Sequence, residues 1–524
     1  MVQPYCAAFL TITALLCLST CLPNARASFE PSAPLHRVLE RLERQSDRYD
    51  ADLSDLVAFP SVSALPDHLP HLEAAADWLA ERLNEAGLQN VGILPTDGPH
   101  PVVYGEWLSA PAGPNGTAPP TVLIYGHYDV QPVDPLELWE TPPFKVVKRD
   151  GYYYGRGVDD DKGGLLEALH AVEAWLQETG TLPVNVKFLL EGQEEVMSPH
   201  LTSFLRQNAK LLAADLALSA DGGQPAADRG GLSLGLRGVV GAQLEVVTSG
   251  TDMHSGMKGG AVANPNSVLA ALLAGMHDPV THAITVEGFY DDVLPMTEQD
   301  RRDVEAYGFD AQQELLELGL YGHVGEQGYS VLEQRWHRPT LEVVGMSGGF
   351  TGEGIKTVIP ARASAKISCR LVPKQTPQDI LEKLQAHVAK HCPAYARCSL
   401  SALGGGAFPW TNPRNSLALA AAAEVHTAMA GGKPPLFLRD GATIPALAAF
   451  QQELQIDTTK FGWGLSEKIH APNERLLADM YDKGRRAWAT ILERLAVGYG
   501  VFDEAAFGTA PAGEDAAAGA HDEL

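Results

Sequence analysis

Short apolar runs alternate with amphipathic helical segments in the first half of this 524-residue chain, and this alternation constrains its fold most strongly. Residues 70–88 and 165–180 carry leucines and alanines at helical spacing, and each segment ends at or near a glycine. Strand-like runs are found at residues 122–125, 184–190 and 216–220. Strands that alternate with helices are typical of an α/β domain whose mostly parallel sheet is flanked by helices.

The pattern changes after Gly238. Strand-like segments then occur at 239–251, 340–349 and 361–373, a helical segment occurs at 377–392, and a glycine-rich break follows at 403–413. We therefore predict an α+β domain inserted into the α/β domain. The predicted division is residues 28–236 for the first part of the α/β domain, 237–407 for the insertion, 408–502 for the second part, and 503–524 for a disordered acidic tail.

The N-terminal segment is typical of a secretory signal peptide over residues 1–27. An apolar run from Cys6 to Leu22 precedes Ala25-Arg26-Ala27, which has the spacing of a cleavage site. A lipoprotein signal that ends at Cys21 is the alternative. No other stretch is long and apolar enough to span a membrane, so we expect an exported protein, periplasmic or extracellular.

The charge balance of the chain is strongly acidic. It has 65 Asp and Glu against 39 Lys and Arg, which gives a net charge of −26. A surface of this sign repels phosphate backbones and anionic lipids, which argues against nucleic acid or a membrane surface as a partner.

Three of the six cysteines lie in the predicted signal, which leaves Cys369, Cys392 and Cys398. Cys392 and Cys398 are nearest in sequence and could pair in an exported protein. Three scattered cysteines form neither a disulfide framework nor a zinc-thiolate site, and buried or incidental thiols are the favoured interpretation.

Histidines and carboxylates occur in five segments, most of them at predicted strand ends or in turns that lead into a helix. They are His127 and Asp129 in GHYDV, Asp159 to Asp161 in GVDDDKGG, Glu194 and Glu195 in EGQEE, Asp221 in SADGG, and His470 in EKIHAPNE. Ligands of open α/β sheets bind beyond the carboxyl ends of the strands, so these groups would converge on one cleft. Two imidazoles and several carboxylates suit two zinc ions, or manganese or cobalt, held about 3.5–4 Å apart.

Each segment alone has an ordinary explanation. Asp221 before two glycines is typical of a turn, Asp159 to Asp161 can cap a helix, and EGQEE can be a solvated loop. A lone His127-x-Asp129 pair or a lone His470 is more often a packed histidine. Their joint occurrence in this order favours a metal site.

These motifs resemble those of the two-zinc metallopeptidases that include carnosine-type dipeptidases, bacterial glutamate carboxypeptidase and aminoacylases. The similarity covers roughly residues 35–500, and the dipeptidase subgroup is most similar. It is carried by IYGHYDVQPV, YGRGVDDDKG, EGQEE, GFYDDV and KTVIPARASAKISCRLVP. The resemblance implies a zinc-peptidase catalytic domain with an inserted lid domain through which two chains form a homodimer.

By this resemblance, His127 and Asp221 bind one zinc, Glu195 and His470 bind the other, and Asp160 bridges both. Asp159 is the alternative for the bridging position, although the spacing from Gly157 favours Asp160. In relatives the peptide bond after the bridging Asp is cis, and here it leads to Asp161.

The resemblance also assigns catalytic roles beside the metals. Glu194 would be the general base that takes the proton of water and passes it to the leaving amine. Asp129 would accept the other N–H of His127 and so fix its tautomer. His254 in TDMHSGMKGG would reach across the dimer and stabilise the tetrahedral oxyanion in the partner's site.

Four further residues match positions that contact substrate in this family. Arg370 would bind the substrate carboxylate, a bidentate task that suits a guanidinium. The other three are Thr357 in the lid, Thr443 in the catalytic domain and Asn264 in AVANP.

The leading hypothesis is a metal-dependent peptidase that acts on dipeptides or short peptides. The resemblance favours it because dipeptidase members carry Asp where this chain has Asp221, whereas acylases tend to carry Glu. An amidohydrolase of N-acyl amino acids with the same site is the first alternative. A non-catalytic binding protein on this fold is the second.

Overall fold

The computed structural model describes residues 30–114 and 116–507. Its α-helices are α1 Ala33–Arg44, α2 Ser46–Val57, α3 Leu69–Glu85, α4 Lys162–Thr179, α5 Leu201–Gln207, α6 Ser255–Lys258, α7 Pro265–Ala274, α8 Glu298–Tyr307, α9 Ala311–Leu318, α10 Val331–His337, α11 Pro377–His391, α12 Leu417–Met429, α13 Pro445–Ala449 and α14 Ala478–Gly498. Its strands are β1 Gln89–Leu94, β2 Val102–Trp107, β3 Thr121–His127, β4 Val147–Arg149, β5 Tyr152–Tyr154, β6 Asn185–Glu191, β7 Leu216–Ser219, β8 Gly231–Leu236, β9 Gly238–Val247, β10 Met253–His254, β11 Thr340–Gly348, β12 Val358–Ile359, β13 Arg362–Leu371, β14 Arg397–Ala407, β15 Trp410–Thr411, β16 Leu436–Asp440, β17 Asp457–Lys460 and β18 Arg475–Leu477.

The central sheet has six strands in the order β1-β2-β6-β3-β7-β17. Strand β3 is parallel to both β6 and β7, and β17 is parallel to β7, whereas β2 is antiparallel to its two neighbours. The predicted mostly parallel sheet is therefore confirmed. Because the four strands β6, β3, β7 and β17 are parallel and lie side by side, their carboxyl ends meet at one edge of the sheet.

Helices cover both faces of this sheet, as continuous apolar strands require. Val122 and Ile124 of β3 pack into the cluster formed with α1, α3, α4, α12 and α14. The alternate residues Leu123 and Tyr125 point to the other face, where α5 and α13 contribute the core. Two-sided burial explains why β3 is apolar without alternation.

The helices begin and end where their sequence indicates. Helix α4 presents buried side chains along nearly its whole length and ends at Gly180, which has φ +73°. A left-handed residue is the common end of an α-helix, and glycine adopts it without strain. The turn at Gly180 leads the chain from α4 into β6.

The second sheet is antiparallel, with strand order β11-β13-β9-β14, and α7 and α11 pack on it. Strand β9 pairs with β13 from Gly238↔Leu371 to Val247↔Arg362, and its buried residues alternate. This sheet is the predicted α+β insertion, so the fold class is confirmed. Strand β14 was not predicted, because its Gly404–Gly406 run has the composition of a break.

Helices α8 to α10 belong to the same long excursion of the chain, and two of them, α8 and α10, pack on a separate small sheet with strand order β15-β8-β16. Both α8 and α10 pack against β16, which pairs in parallel with β8. Capping boxes at Thr297 and Ser330 begin α8 and α10. This placement brings residues of the insertion next to the edge where the parallel strands end.

Two expectations need correction. Cys392 and Cys398 form a disulfide between the end of α11 and the start of β14, which contradicts the expectation of unpaired thiols. Cys369 is buried and free. Residues 503–507 are also ordered, since Phe507 is buried with its ring centroid 5.6 Å from that of Trp175. The rest of the predicted tail lies outside the described residues.

Among the described residues, none of the helices has both the length and the hydropathy that crossing a membrane needs.

Candidate metal and substrate site

Three neighbouring parallel strands deliver the predicted groups to one edge of the central sheet. Strand β3 ends at His127, β6 ends at Glu191 just before the short 3-10 helix Glu194–Val196, and β7 ends two residues before Asp221. The carboxylates of EGQEE and SADGG therefore lie on either side of His127, as the sheet order requires.

Asp160 lies at the centre of this group, between two imidazoles. Its Oδ1 is 3.1 Å from Nε2 of His127, and its Oδ2 is 3.1 Å from Nε2 of His470. The same Nε2 of His470 is 3.2 Å from Oε2 of Glu195. The peptide bond between Asp160 and Asp161 is cis, as the resemblance implies.

The donor atoms form two groups that share Asp160. One contains His127, Asp160 and Asp221, and the other contains Asp160, Glu195 and His470, with all donor atoms of a group within 4.8 Å of one another. Imidazole nitrogen and carboxylate oxygen are ligands of zinc and of other divalent transition metals. Two ions with one bridging carboxylate fit this donor set.

The pKa values of these groups also indicate a site for divalent cations. Burial acts to raise the pKa of Asp160, but the imidazoles of His127 and His470 hold it below its usual range. Burial and the charge of Asp160 raise the pKa of Asp221 to about 6, and burial raises that of Glu194 well above its ordinary value. Hydrogen bonds to Asp160 and to the second carboxylate raise the pKa of His470 to about 10. Crowded carboxylates that retain protons in this way are stabilised by divalent cations in place of those protons.

Asp129 is buried beside His127, with its Oδ1 3.4 Å from Nδ1 of the imidazole. That nitrogen also lies 3.1 Å from the backbone oxygen of Asp129. The carboxylate of Asp129 in addition accepts the backbone N–H groups of Glu194 and Glu195, both at 3.1 Å. The Asp129 side chain therefore positions both His127 and the EGQEE turn.

Asp159, the alternative for the bridging position, belongs to neither donor group. Its side chain is buried against Gly464, where a Cβ atom would come within 1.5 Å of Oδ1. Asp160, and not Asp159, therefore lies between the imidazoles of His127 and His470.

Glu474 organises the loop that carries Asp160, a role that sequence reasoning missed. Its buried carboxylate accepts the backbone N–H groups of Gly157, Asp159 and Asp160 at 3.0–3.2 Å. Nη1 of buried Arg156 donates to it at 2.7 Å. The sequence feature that could have indicated this role is the position of Glu474, four residues after His470 in EKIHAPNE. Glu474 connects the loop of His470 to the loop of Asp160.

Gln131 was also missed, although it stands in the same motif as His127. Its Nε2 donates to Oε2 of Glu195 at 2.8 Å, which orients that carboxylate. Polar partners of this kind fix the geometry of ligands that contact the metal directly.

A cavity of about 710 Å³ opens beside these groups, and Asp160, Glu194, Asp221 and His470 lie in its wall. Helices α8 to α10 and their connections form a facing wall. The residues of that wall are Tyr307, Phe309, Glu314, Leu332, Arg335 and Trp336. The excursion of the inserted segment therefore closes one side of the site.

The predicted substrate contacts divide into two sets. Thr443 lines the cavity, and its Oγ1 accepts a hydrogen bond from Nη1 of Arg370 at 2.7 Å. His254, Thr357 and Asn264 are not in the cavity wall in the described part of the chain.

His254 is exposed at the start of α6, and its Nδ1 accepts the N–H of Gly256. It pairs with Val358 in the short β10–β12 ladder, next to Thr357. Asn264 caps α7 by accepting the N–H of Asn266 at 3.0 Å, a role that needs no substrate.

Comparison with known proteins gives a consistent set of similarities. The sequence model of the peptidase family M20/M25/M40 matches residues 123–494 of this chain. The chain is 28% identical over 480 residues to the Cys-Gly metallodipeptidase dug1 of Schizosaccharomyces pombe, which covers 88% of this chain and 98% of that protein. It is 29% identical over 487 residues to the Beta-Ala-His dipeptidase of Homo sapiens, which covers 89% and 94%.

A solved structure with the same fold is that of Sso-CP2, an M20 family metallo-carboxypeptidase from Sulfolobus solfataricus. The two superpose with a TM-score of 0.76 at 31% identity, over 86% of this chain and 99% of the other.

The predicted export is wrong. The yeast Cys-Gly metallodipeptidase, which this chain matches over 98% of that protein's length, is a cytosolic enzyme. The segment that suggested export, residues 1–27 with its lipoprotein alternative at Cys21, lies outside the described residues.

Proposed function

This chain belongs to the peptidase family M20/M25/M40, and from that premise we propose that it hydrolyses dipeptides or very short peptides at the site around Asp160. The similarity to a Cys-Gly metallodipeptidase and a Beta-Ala-His dipeptidase supports this substrate class. The single observation that carries the proposal is the position of Asp160 between two histidine–carboxylate groups, at the wall of a cavity large enough for a short peptide.

We propose that His127, Asp160 and Asp221 hold one metal ion and that Asp160, Glu195 and His470 hold a second. Zinc is the first candidate, with manganese or cobalt as alternatives of suitable ligand preference. When bound, two such ions would activate water and polarise the scissile carbonyl.

Glu194 is the proposed general base. It stands outside both donor groups, it lines the cavity, and its backbone N–H is held by Asp129. A carboxylate in this position can take a proton from the attacking water and deliver it to the leaving amine. Asp129 keeps His127 in the tautomer whose Nε2 is free to bind a metal.

A homodimer through the inserted segment, residues 237–407, is part of the proposal. Edge strand β11 exposes Val343, Val344 and Met346, and an exposed apolar edge is a surface that pairing with a second chain would cover. His254 is exposed and away from its own cavity, which suits a contact with the site of the partner chain. Thr357 lies beside His254. We place Arg370 and Thr443 at the carboxylate end of the substrate, and Asn264 as a further substrate contact.

Metal analysis combined with a substrate panel tests this function. We expect two divalent ions per chain, loss of activity on chelation, and recovery on addition of zinc, manganese or cobalt. The panel pairs free dipeptides, including Cys-Gly and β-Ala-His, with N-acetylated amino acids.

The outcomes separate the candidate functions. Faster turnover of an acylated amino acid than of every dipeptide would assign the chain to the amidohydrolases. Peptide binding without turnover by the metal-loaded protein would indicate a binding protein.

A further inference from the structure

Asp159 is a buried carboxylate that packs on the loop of His470, although it belongs to neither donor group. Its Oδ1 occupies the space beside the α-carbon of Gly464, where a Cβ atom would come within 1.5 Å of it. Burial raises the pKa of Asp159 well above its ordinary value, whereas the backbone N–H groups of Glu467 and Ser466, which face the carboxylate, act to lower it. The Asp159 side chain therefore contacts the chain shortly before His470.

Gly464 is also held by the loop that follows Asp221. Its backbone oxygen accepts the N–H of Gln224 at 2.7 Å, and Gly464 pairs with Gly223 in an isolated parallel bridge. Nε2 of Gln224 in addition donates to the backbone oxygen of Gly462 at 2.6 Å. Gly464 is thus a fixed point from which the chain continues towards the histidine.

The chain between Gly464 and His470 adopts backbone conformations that are unfavourable for its residues. Ser466, Lys468 and His470 have φ values of +54°, +59° and +60°, in the left-handed region that residues other than glycine rarely occupy. The side chain of His470 is 53% exposed, so packing around the imidazole does little to keep it in place. Such conformations persist only where surrounding contacts hold them.

The loop that carries Asp160 holds this segment on both sides of His470. Beyond His470, the carboxylate of Glu474 accepts the backbone N–H groups of Asp159 and Asp160. Before His470, the Asp159 side chain packs on Gly464. Because His470 lies between these two contacts, its position relative to Asp160 depends on both of them.

We propose that Asp159 is a positioning residue for the second metal ion, because its side chain holds the backbone that presents His470 to that ion. The inference rests on the proposed metal site and adds to it a residue outside both donor groups. Partners that orient a metal ligand contribute strongly to metal affinity. Loss of the Asp159 side chain should therefore weaken the ion bound by His470 more than the ion bound by His127.

Zinc titrations in competition with a chromophoric chelator measure the affinity of each ion separately from turnover. D159A should bind the first ion as the unchanged protein does and the second ion more weakly by about tenfold or more. H470A gives the reference for a protein that has lost the second ion. D159N fills the same volume and keeps an oxygen that accepts backbone N–H groups, so its second affinity should stay within about threefold of the unchanged protein.

G464A tests the same contact from the other residue. A methyl group at position 464 would take the place of Oδ1 of Asp159, so G464A should also weaken the second ion. The double variant D159A/G464A should bind that ion no more weakly than D159A alone, because the clash needs both residues. Additive losses would show that the two residues do not act through one contact, and would overturn the inference.

The matched control is E167A, which removes another buried carboxylate that packs on a glycine, Gly484 of α14. It should lower the melting temperature, because it leaves a cavity, but keep both zinc affinities. Equal weakening of both ions in D159A, a loss in D159N as large as that in D159A, or an unchanged second affinity in D159A would overturn the inference. If the unchanged protein bound fewer than two ions, the proposed metal site would fail instead, and the inference with it.

Discussion

Glu194 and Glu195 are adjacent in sequence but occupy different chemical positions. Glu195 lies in a donor group with Asp160 and His470, and Gln131 holds its carboxylate. Glu194 stands outside both donor groups and faces the cavity. Asp129 accepts the backbone N–H of both residues, so the separation of their side chains is fixed by one buried carboxylate.

Replacement of Glu194 by Gln should therefore remove proton transfer without removing the metals. We expect E194Q to lose about 10²–10⁴-fold in kcat, the usual worth of general acid–base catalysis, with KM and metal content nearly unchanged. Steady-state kinetics and metal analysis of the purified variant measure both quantities.

The control for this variant is E195Q, which alters a donor atom of the second group. It should lose metal as well as activity, because a neutral amide is a poorer ligand than a carboxylate. If E194Q kept kcat within tenfold of the unchanged enzyme, Glu194 would not be the general base.

At the scale of elements, helix α12 carries a histidine that the site does not use. The ring of His426 is 1% exposed and stacks on Trp463, with 4.5 Å between ring centroids. Neither ring nitrogen has a hydrogen-bond partner among the described residues, and burial lowers the pKa of His426 to about 3. The folded chain thus keeps this imidazole neutral.

This burial should make the protein sensitive to acid. In the unfolded chain the imidazole has its ordinary pKa of about 6.5, so the unfolded state gains a proton first and stability falls as the pH drops from about 6.5 towards 3. At pH 5 the loss amounts to about 2 kcal/mol. H426F should reduce the difference in urea midpoint between pH 7 and pH 5, measured by circular dichroism.

An exposed histidine gives the comparison for this measurement. The side chain of His36 on α1 is 68% exposed, so H36F removes an imidazole that stays in water after folding. H36F should keep the acid sensitivity of the unchanged protein. Equal pH dependence of H426F and the unchanged protein would contradict the assigned burial cost.

Local sequence patterns predicted the elements that carry the site because those patterns depend on neighbours in the chain. The apolar runs that became β3, β6 and β7 each end beside a metal-seeking group, and the parallel order brings those ends together. Strand β14 was not predicted because its glycine run is typical of a loop. Its extended conformation depends on pairing with β9. Tertiary pairing overrides local propensity in such edge strands.

Long-range partners could not be predicted from spacing. Glu474 accepts the backbone N–H groups of Asp159 and Asp160, which lie more than 300 residues away in the sequence. The motifs themselves identify the groups of His127, Asp160 and His470, whereas the residues that hold them depend on the folded chain.

At the scale of the whole molecule, a single chain has its metal-seeking groups and its His254 in different places. His254 is exposed at the start of α6 and does not line the cavity that contains Glu194. The exposed edge of β11 provides a surface on which a second copy can pair. If His254 serves the partner's site, each active site is built from two chains, which makes the role of His254 testable by mixing variants.

Mixed dimers of E194Q and H254A should recover activity that neither variant has alone. One site of a mixed dimer would combine the Gln at position 194 with the Ala at position 254, whereas the other would combine an intact Glu194 with an intact His254. Half of the dimers in an equal mixture are mixed and each has one intact site, so about a quarter of the original activity should return after subunit exchange. Separate tags and tandem purification isolate the mixed dimer, which should have half the activity of the unchanged dimer. Were His254 to act within its own chain, both sites of the mixed dimer would carry one defect, and no activity would return.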